Sequence, residues 1–395
     1  MTFHTEPSIA EDSYIIPVEL MLAKGSLLIN GQQIRVGLIG TGNIGKIHLS
    51  GIAALKEAGL LNVEIVALCD IDHEVLQSAG DLFEVKKLYE DFKDLVNDDD
   101  VDVVYVCTPT NKHMDMVQAA ARAKKQIFCE KPLAHSCPQA RTLQAVTQDQ
   151  GVNATVGLVL RFDQFLLYAK KLLQENDFGK PMLAHIRDDQ RFPVDYSYYS
   201  KWRGEKALAG GGTLIEHSIH DIDILRWFFG EVETVFAKVS NFYGREVEDH
   251  ASLIITHVDG KVSTLDSIWH WIDRPNERAI EFFFEKGYIG IRLESGKRYL
   301  EYHLKDQDPV RIWQENADIA LIENLGLHSR NMSPEAVETI TSVGTERYAA
   351  LSYSFLSSIQ TGQPLSPNFV DAVAAHRIVD AAYESANKDR QVDLL

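Results

Sequence analysis

The sequence predicts an α/β protein of two unlike halves: a doubly wound parallel-sheet domain first, then an α+β domain with a large, mainly antiparallel (mixed) open sheet. Three observations carry this. From Ile34 to about Gly157 short β-branched runs alternate with amphipathic helical stretches. The first of those runs ends directly in Gly-x-Gly-x-x-Gly. Beyond Thr234, strand-like runs follow one another with turn dipeptides between them. Near-continuous apolar strands joined by helices belong to a parallel sheet covered on both faces, whereas successive strands joined by tight turns pair antiparallel.

In chain order, residues 1–31 read as an extension, an arm on another subunit or partly unordered, and residues 32–157 as the first domain. Its predicted strands are 34–39, 63–69, 103–107, 126–129 and 154–156, and its helices 46–58, 73–83, 114–123 and 138–148. Residues 158–395 form the second domain. A helix over 164–175 and a strand over 182–192 precede the Gly210-Gly211-Gly212 loop, from which a helix runs to Phe229. Strands are expected at 234–242, 251–258, 262–271, 278–284, 288–293, 298–304 and 310–314, punctuated by Asp259-Gly260, Lys286-Gly287 and Ser295-Gly296. Two helices, 346–360 and 370–386, close the chain, with the first domain available for them to pack back on. A broad sheet with helices on one face has to bury the other, so a homodimer or homotetramer through that sheet is expected.

Composition narrows the class. With 45% hydrophobic and 24% charged residues the chain is an ordinary globular one, long enough for two cores. A formal charge of -18 argues against nucleic acid or an anionic membrane as partner, since both would repel it. Cys69, Cys107, Cys129 and Cys137 make no C-x-x-C pair and read as reduced, buried thiols of a cytoplasmic protein, with no metal site expected. No basic region followed by a long apolar run opens the chain, and no stretch is apolar enough to span a bilayer.

The chemistry sits at loop positions. In Gly40-Thr41-Gly42-Asn43-Ile44-Gly45, Gly40 suits a turn that a Cβ would resist and Gly42 leaves room for a pyrophosphate, while Gly45 permits close helix–strand packing. The helix start behind them offers N–H groups and a positive dipole end to phosphates. Asp70, 25 residues after Gly45, ends the second strand, where a carboxylate accepts hydrogen bonds from ribose hydroxyls. Its neighbour Ile71 is neither basic nor hydroxylated, so nothing adjacent pairs with a 2′-phosphate, and NAD is favoured over NADP. The next strand ends lead to Thr108, Pro109, Thr110 and His113, and to Glu130 and Lys131; such ends line the ligand crevice of a doubly wound sheet. Lys131, before Pro132, is placed to donate to a ligand oxygen. In Gly210–Trp227, a continuous helix would stack Glu216, His220 and Asp223 on one face, with the acid orienting the imidazole for proton transfer. A solvated polar face and a metal pair are the competing readings of that pattern.

Five motifs then occur in order: 34–45, Thr108-Pro-Thr-x-x-His113, Glu130-Lys-Pro132, Val156-Gly-Leu-Val-Leu-Arg-Phe162 and the 210–230 block. On these the chain resembles the glucose–fructose oxidoreductase / inositol dehydrogenase (Gfo/Idh/MocA) family from about residue 33 to its end. The resemblance implies a Rossmann domain and a nicotinamide-dependent dehydrogenase that oxidises a secondary hydroxyl of a sugar, cyclitol or related polyol. It implies that Lys131 contacts both the nicotinamide ribose and the reacting hydroxyl, and that His220 is the general base. Glu216 stands where the family usually has Asp. Trp202 and Arg203 match a family Trp-Arg pair, and with Arg161, Asp188 and His270 they are expected at the substrate pocket; His270, on the opposite strand face from Trp269 and Trp271, equally fits an outward position. Two other activities fit the resemblance: an NAD-dependent glycosidase and a non-catalytic NAD-binding sensor.

Overall fold

A computed structural model describes residues 33–194, 200–294, 297–325 and 346–394. The N-terminal extension and the Ser295-Gly296 turn lie outside the described residues. The first domain runs β1 (Ile34–Ile39), α1 (Asn43–Glu57), β2 (Val63–Cys69), α2 (His73–Leu82), β3 (Lys87–Tyr89), α3 (Phe92–Val96), β4 (Val103–Val106), α4 (His113–Arg122), β5 (Gln126–Cys129), α5 (Cys137–Gln150) and β6 (Ala154–Val156). Its six strands are all parallel in the order β3-β2-β1-β4-β5-β6. The order reverses between β1 and β4, which opens the ligand crevice above their carboxyl ends. The expected elements are present; β3 and α3 are additions, too short to carry a periodic signal of their own.

The second domain contains α6 (Gln164–Glu175), β7 (Pro181–Arg191), α7 (Ile219–Phe229), β8 (Val232–Ser240), β9 (His250–His257), β10 (Val262–His270), β11 (Glu277–Phe284), β12 (Gly287–Glu294), β13 (Lys297–Leu304), β14 (Val310–Ile312), α8 (Gln314–Asn324), α9 (Glu346–Thr361), α10 (Phe369–Lys388) and β15 (Val392–Asp393). Its strands form one sheet, β14-β13-β12-β11-β7-β10-β9-β8-β15, antiparallel except for β7 against β10. Helix α8 corrects the strand expected to reach residue 314. It starts behind Trp313, which offers no side-chain cap, so local sequence gives no start signal.

Alternation divides the sheet cleanly. Ala184, Ile186, Leu253, Ile255, Leu265, Ile280 and Phe282 face α6, α7 and α10 and build the second domain's core. His185, Arg187, Ile254, Glu281 and Phe283 occupy the intervening positions on the other face, where Ile254 is 52% exposed. Both closing helices pack back on the first domain, and α10, whose Phe369 and Ala372 join Ala140, Leu143 and Val156, also bridges to the second. Helix α9 packs Ala349, Ala350 and Phe355 with Leu49, Ile52 and Leu55 of α1, and Ala349 presses so close that a Cβ on Gly51 would meet it at 3.2 Å. Helix α10 sends Ala375, Ile378 and Val379 into the second core.

Candidate active site

The glycine loop joins β1 to α1 at the switch point. Gly40 has φ +94°, and a Cβ there would come within 2.5 Å of the Cys107 carbonyl oxygen at the end of β4. A Cβ on Gly45 would lie 2.0 Å from the Gly40 carbonyl oxygen, so helix and strand touch there. A Cβ on Gly42 would meet nothing within 4 Å. Gly42 is also the N-cap of α1, brings no side chain to cap it, and the first turn holds no acidic residue. The loop thus leaves an open space at a positive helix end, which fits a pyrophosphate. Asp70 is fixed beside it: Oδ2 accepts from Thr41 N at 2.8 Å and Thr41 Oγ1 at 3.1 Å, and Oδ1 from Asp72 N at 3.0 Å. Ile71 is 90% exposed and brings no positive charge.

Three residues expected at the crevice turn inward instead. The buried His113 ring lies between two carbonyl oxygens, Thr108 O and Pro132 O, each at 3.0 Å, and so ties the loops after β4 and β5 together. Thr110 is buried. The Glu130 carboxylate is buried against α1, 2.7 Å from His48 Nε2, in a space that a Cβ on Gly157 would invade at 2.8 Å. It accepts from Lys131 N at 3.0 Å and thereby fixes the backbone of the residue that does reach the cleft. Burial would raise this carboxyl, but His48 and Lys131 outweigh it and hold it below the usual range. Thr108 and Pro109 remain half-buried at the strand end.

Lys131 crosses to the second domain. Its Nζ donates to the Glu216 carbonyl at 2.5 Å and lies 3.7 Å from Glu216 Oε2. The continuous helix expected through Glu216 and His220 is not formed. Thr213–His217 make one π-helical turn, closed by Ser218 N donating to Thr213 O at 2.8 Å, and α7 begins only at Ile219. Side chains from afar impose this turn. The Thr213 and Ser218 hydroxyls both meet Ser267 Oγ on β10 at 2.6 Å, while Glu248 accepts from Gly212 N at 2.7 Å and Leu214 N at 3.1 Å. A Tyr383 hydroxyl from α10 holds Glu248 at 2.7 Å.

Glu216 makes no hydrogen bond to His220 Nδ1. Its Oε2 accepts from Arg203 Nε at 2.9 Å, and the Arg203 guanidinium lies 4.5 Å over the Trp202 ring. The Trp-Arg pair therefore clasps the turn. His220 is buried, and its Nδ1 has no hydrogen-bond partner among the described residues. Burial, with the positive charges of Lys131, Arg278 and Arg347, pushes this imidazole well below its usual value.

Asp188, on the helix-facing side of β7, stands 2.7 Å from His217 Nε2 and pairs with Arg278, its direct cross-strand neighbour on β11. Two expected pocket residues lie elsewhere. Arg161 is buried in an ion-pair cluster, donating from Nε and Nη2 to Asp223 at 2.8 and 2.6 Å and from Nη2 to Asp371 at 3.0 Å. Asp223 accordingly faces Arg161 rather than sharing a catalytic face. His270 points to the opposite side of the sheet, 3.4 Å from Asp189, because strand alternation separates it from Ser267 and Trp269. His217, Arg278 and Glu248 were not singled out from the sequence. His217 lies three residues before His220, a readable hint, whereas Arg278 and Glu248 arrive through sheet register.

Fold and site together define a class: a two-domain oxidoreductase whose first domain binds NAD in Rossmann fashion. Residues 34–158 match the family model described as "Oxidoreductase family, NAD-binding Rossmann fold", and 166–290 match the "GFO/IDH/MocA C-terminal domain". The chain belongs to the Gfo/Idh/MocA oxidoreductase family. It is 32% identical over 263 residues to myo-inositol 2-dehydrogenase of Thermotoga maritima, covering 65% of this chain and 74% of that one. To levoglucosan dehydrogenase of Pseudarthrobacter phenanthrenivorans it is 25% identical over 394 residues, covering 92% and 98%. A solved levoglucosan dehydrogenase in complex with NADH superposes with a TM-score of 0.80 at 25% identity, covering 92% of this chain and 100% of that one. No helix among the described residues is long and apolar enough to cross a membrane.

Proposed function

We propose that the protein oxidises a secondary hydroxyl of a sugar, cyclitol or related polyol. The observation that carries this is the meeting of Lys131 Nζ from the first domain with Glu216 O on the turn leading to His220. It brings an ammonium and a neutral imidazole to one cleft beside the NAD crevice. NAD, when bound, supplies the hydride acceptor. Gly42 and the start of α1 would hold its pyrophosphate, and Asp70 its adenosine ribose. Lys131 stabilises negative charge developing on the substrate oxygen, and His220 takes the hydroxyl proton. Arg203 and Glu216 hold Lys131 in position.

The test is a panel of myo-inositol, levoglucosan, D-apiose and related polyols with NAD and with NADP, following reduced cofactor. Turnover with NAD on at least one member is expected. Binding of NAD with no turnover across the panel would reject the reading, and hydrolysis without net NADH would reassign it to a glycosidase.

Two glycines give a sharper check of the loop. Gly42→Ala should fold normally, as its Cβ enters open space, yet weaken NAD binding by about tenfold or more, some 1.4 kcal/mol. Gly45→Ala should instead fail to fold or unfold at markedly lower temperature. Calorimetric titration and thermal melts separate the two, and equal behaviour would argue against a pyrophosphate at Gly42.

The face of the second sheet away from α6, α7 and α10 carries Ile254, Phe283 and Tyr288 among paired charges such as Arg292 with Glu281. The proposal extends to a homodimer or homotetramer formed through this face. Light scattering should return a multiple of the chain mass, and Ile254→Asp combined with Phe283→Asp should shift it toward the monomer. A monomeric wild type at working concentration would exclude it.

A further inference from the structure

The proposed mechanism uses one imidazole of the catalytic turn and leaves a second beside it. His217 is part of the same π-helical turn that carries Glu216, three residues before His220. Lys131 lies close enough for its charge to act on His217, and His217 and Lys131 in turn act on His220. Of the two histidines, His217 is the one with a carboxylate: Asp188 Oδ2 stands 2.7 Å from its Nε2. That carboxylate is itself anchored. Arg278 pairs with it from the directly opposed position on β11, and Arg278 Nε lies 3.4 Å from Asp221 Oδ1. Burial would raise Asp188, but Arg278 and His217 outweigh it and keep the carboxyl ionised, well below the usual range.

His217 Nε2 faces two groups, the Asp188 carboxylate at 2.7 Å and the donor-only Arg278 guanidinium at 3.5 Å; the much nearer carboxylate can only accept, so Nε2 carries the hydrogen. Burial also pushes the ring's pKa down, against the pull of Asp188, so the ring is neutral. In a neutral imidazole with Nε2–H, Nδ1 carries a lone pair. The His217 side chain is 20% exposed, and with Nε2 taken by Asp188 a hydrogen-bonding ligand can meet the ring only through Nδ1.

Resting on the oxidoreductase reading, we infer that His217 Nδ1 accepts a hydrogen bond from a second substrate hydroxyl, next to the one that is oxidised. The substrate is then a vicinal diol, with one oxygen between Lys131 and His220 and its neighbour on His217. Asp188 is a positioning residue that fixes the tautomer, and Arg278 anchors Asp188. The same geometry selects against substrates lacking that hydroxyl, because the lone pair would be left unmet in a partly desolvated site.

Two measurements test this. Nitrogen-15 spectra of the histidines in the full-length protein, with His217 assigned through His217→Gln, should show the Nε2–H tautomer and a neutral ring at neutral pH. An Nδ1–H tautomer, or a protonated ring, overturns the inference whatever the substrate. On a panel member that the wild type oxidises, His217→Ala should lower kcat/KM roughly tenfold or more, mainly through KM. The analogue deoxygenated at the carbon adjacent to the oxidised one should be oxidised poorly by the wild type and about equally by both proteins. If wild type and variant discriminate equally between diol and deoxy analogue, the inference fails while the oxidoreductase reading stands. If the wild type oxidises no panel member, the oxidoreductase reading fails and the tautomer decides whether the Nδ1 acceptor exists.

Discussion

Lys131→Met should lower kcat by roughly 100- to 1000-fold on any substrate the wild type oxidises, the range seen when one preorganised donor to a developing oxyanion is removed. Methionine keeps the length of the side chain and removes its charge. Lys131 is the group that spans the cleft, and in this structure its ammonium is already oriented by the Glu216 carbonyl at 2.5 Å and the Glu216 carboxylate at 3.7 Å. A donor held in place before substrate arrives needs little reorganisation as the hydroxyl oxygen gains charge. The Rossmann core does not depend on the amine, since Glu130 anchors the backbone of residue 131 through its N–H. Melting temperature should therefore stay near wild type while turnover collapses. A folded Lys131→Met protein that still turns over within a few-fold of wild type would remove Lys131 from the chemistry.

How far the sequence reveals such a site depends on the range of the forces that build each part. Helix α6 was expected at its observed bounds because its signals are local: Asp163 caps Phe165 N and Leu166 N, and an apolar stripe follows. The glycine loop is legible for the same reason, each glycine answering to a neighbour a few residues away or to the adjoining strand. The turn at Thr213–His217 is not. Its extra residue per turn comes from Ser267 and Glu248, which reach it only after the second sheet has formed. A continuous helix would pair Glu216 with His220; in the folded protein the Glu216 carboxylate accepts from Arg203 of the preceding segment. The Asp188–His217–Arg278 cluster has the same origin, since β7 and β11 become neighbours by sheet order rather than by sequence. Glu130 and His113 mislead in a different way. They follow strand ends as binding residues do, but the Gly157 gap, His48 and two loop carbonyls give their side chains an interior destination.

Arg161 tests that distinction between binding and building most strongly. A substrate-contacting arginine would, on mutation to Ala, raise KM and leave the fold intact. The structure gives the opposite expectation. Arg161 lies just past β6, where the chain leaves the first domain. It binds Asp223 of α7 with two hydrogen bonds, Asp371 in the first turn of α10 and the Ser366 hydroxyl at 2.8 Å. Asp371 in turn belongs to the capping box of α10 and accepts from Arg226 at 3.2 Å. Removing Arg161 leaves Asp223, 1% exposed, as a buried carboxylate without its guanidinium. Breaking a buried pair from one side costs about 3–5 kcal/mol, because the remaining charge keeps its desolvation penalty and loses its compensation. Arg161→Ala is therefore expected to lower the unfolding midpoint in denaturant by that much stability, while the folded fraction keeps its substrate KM. Pairing it with Asp223→Ala should restore part of the loss, since the double variant buries no orphaned carboxylate at that position. A stable Arg161→Ala protein with a raised KM would return the residue to the substrate pocket and show that the cluster opens toward the cleft.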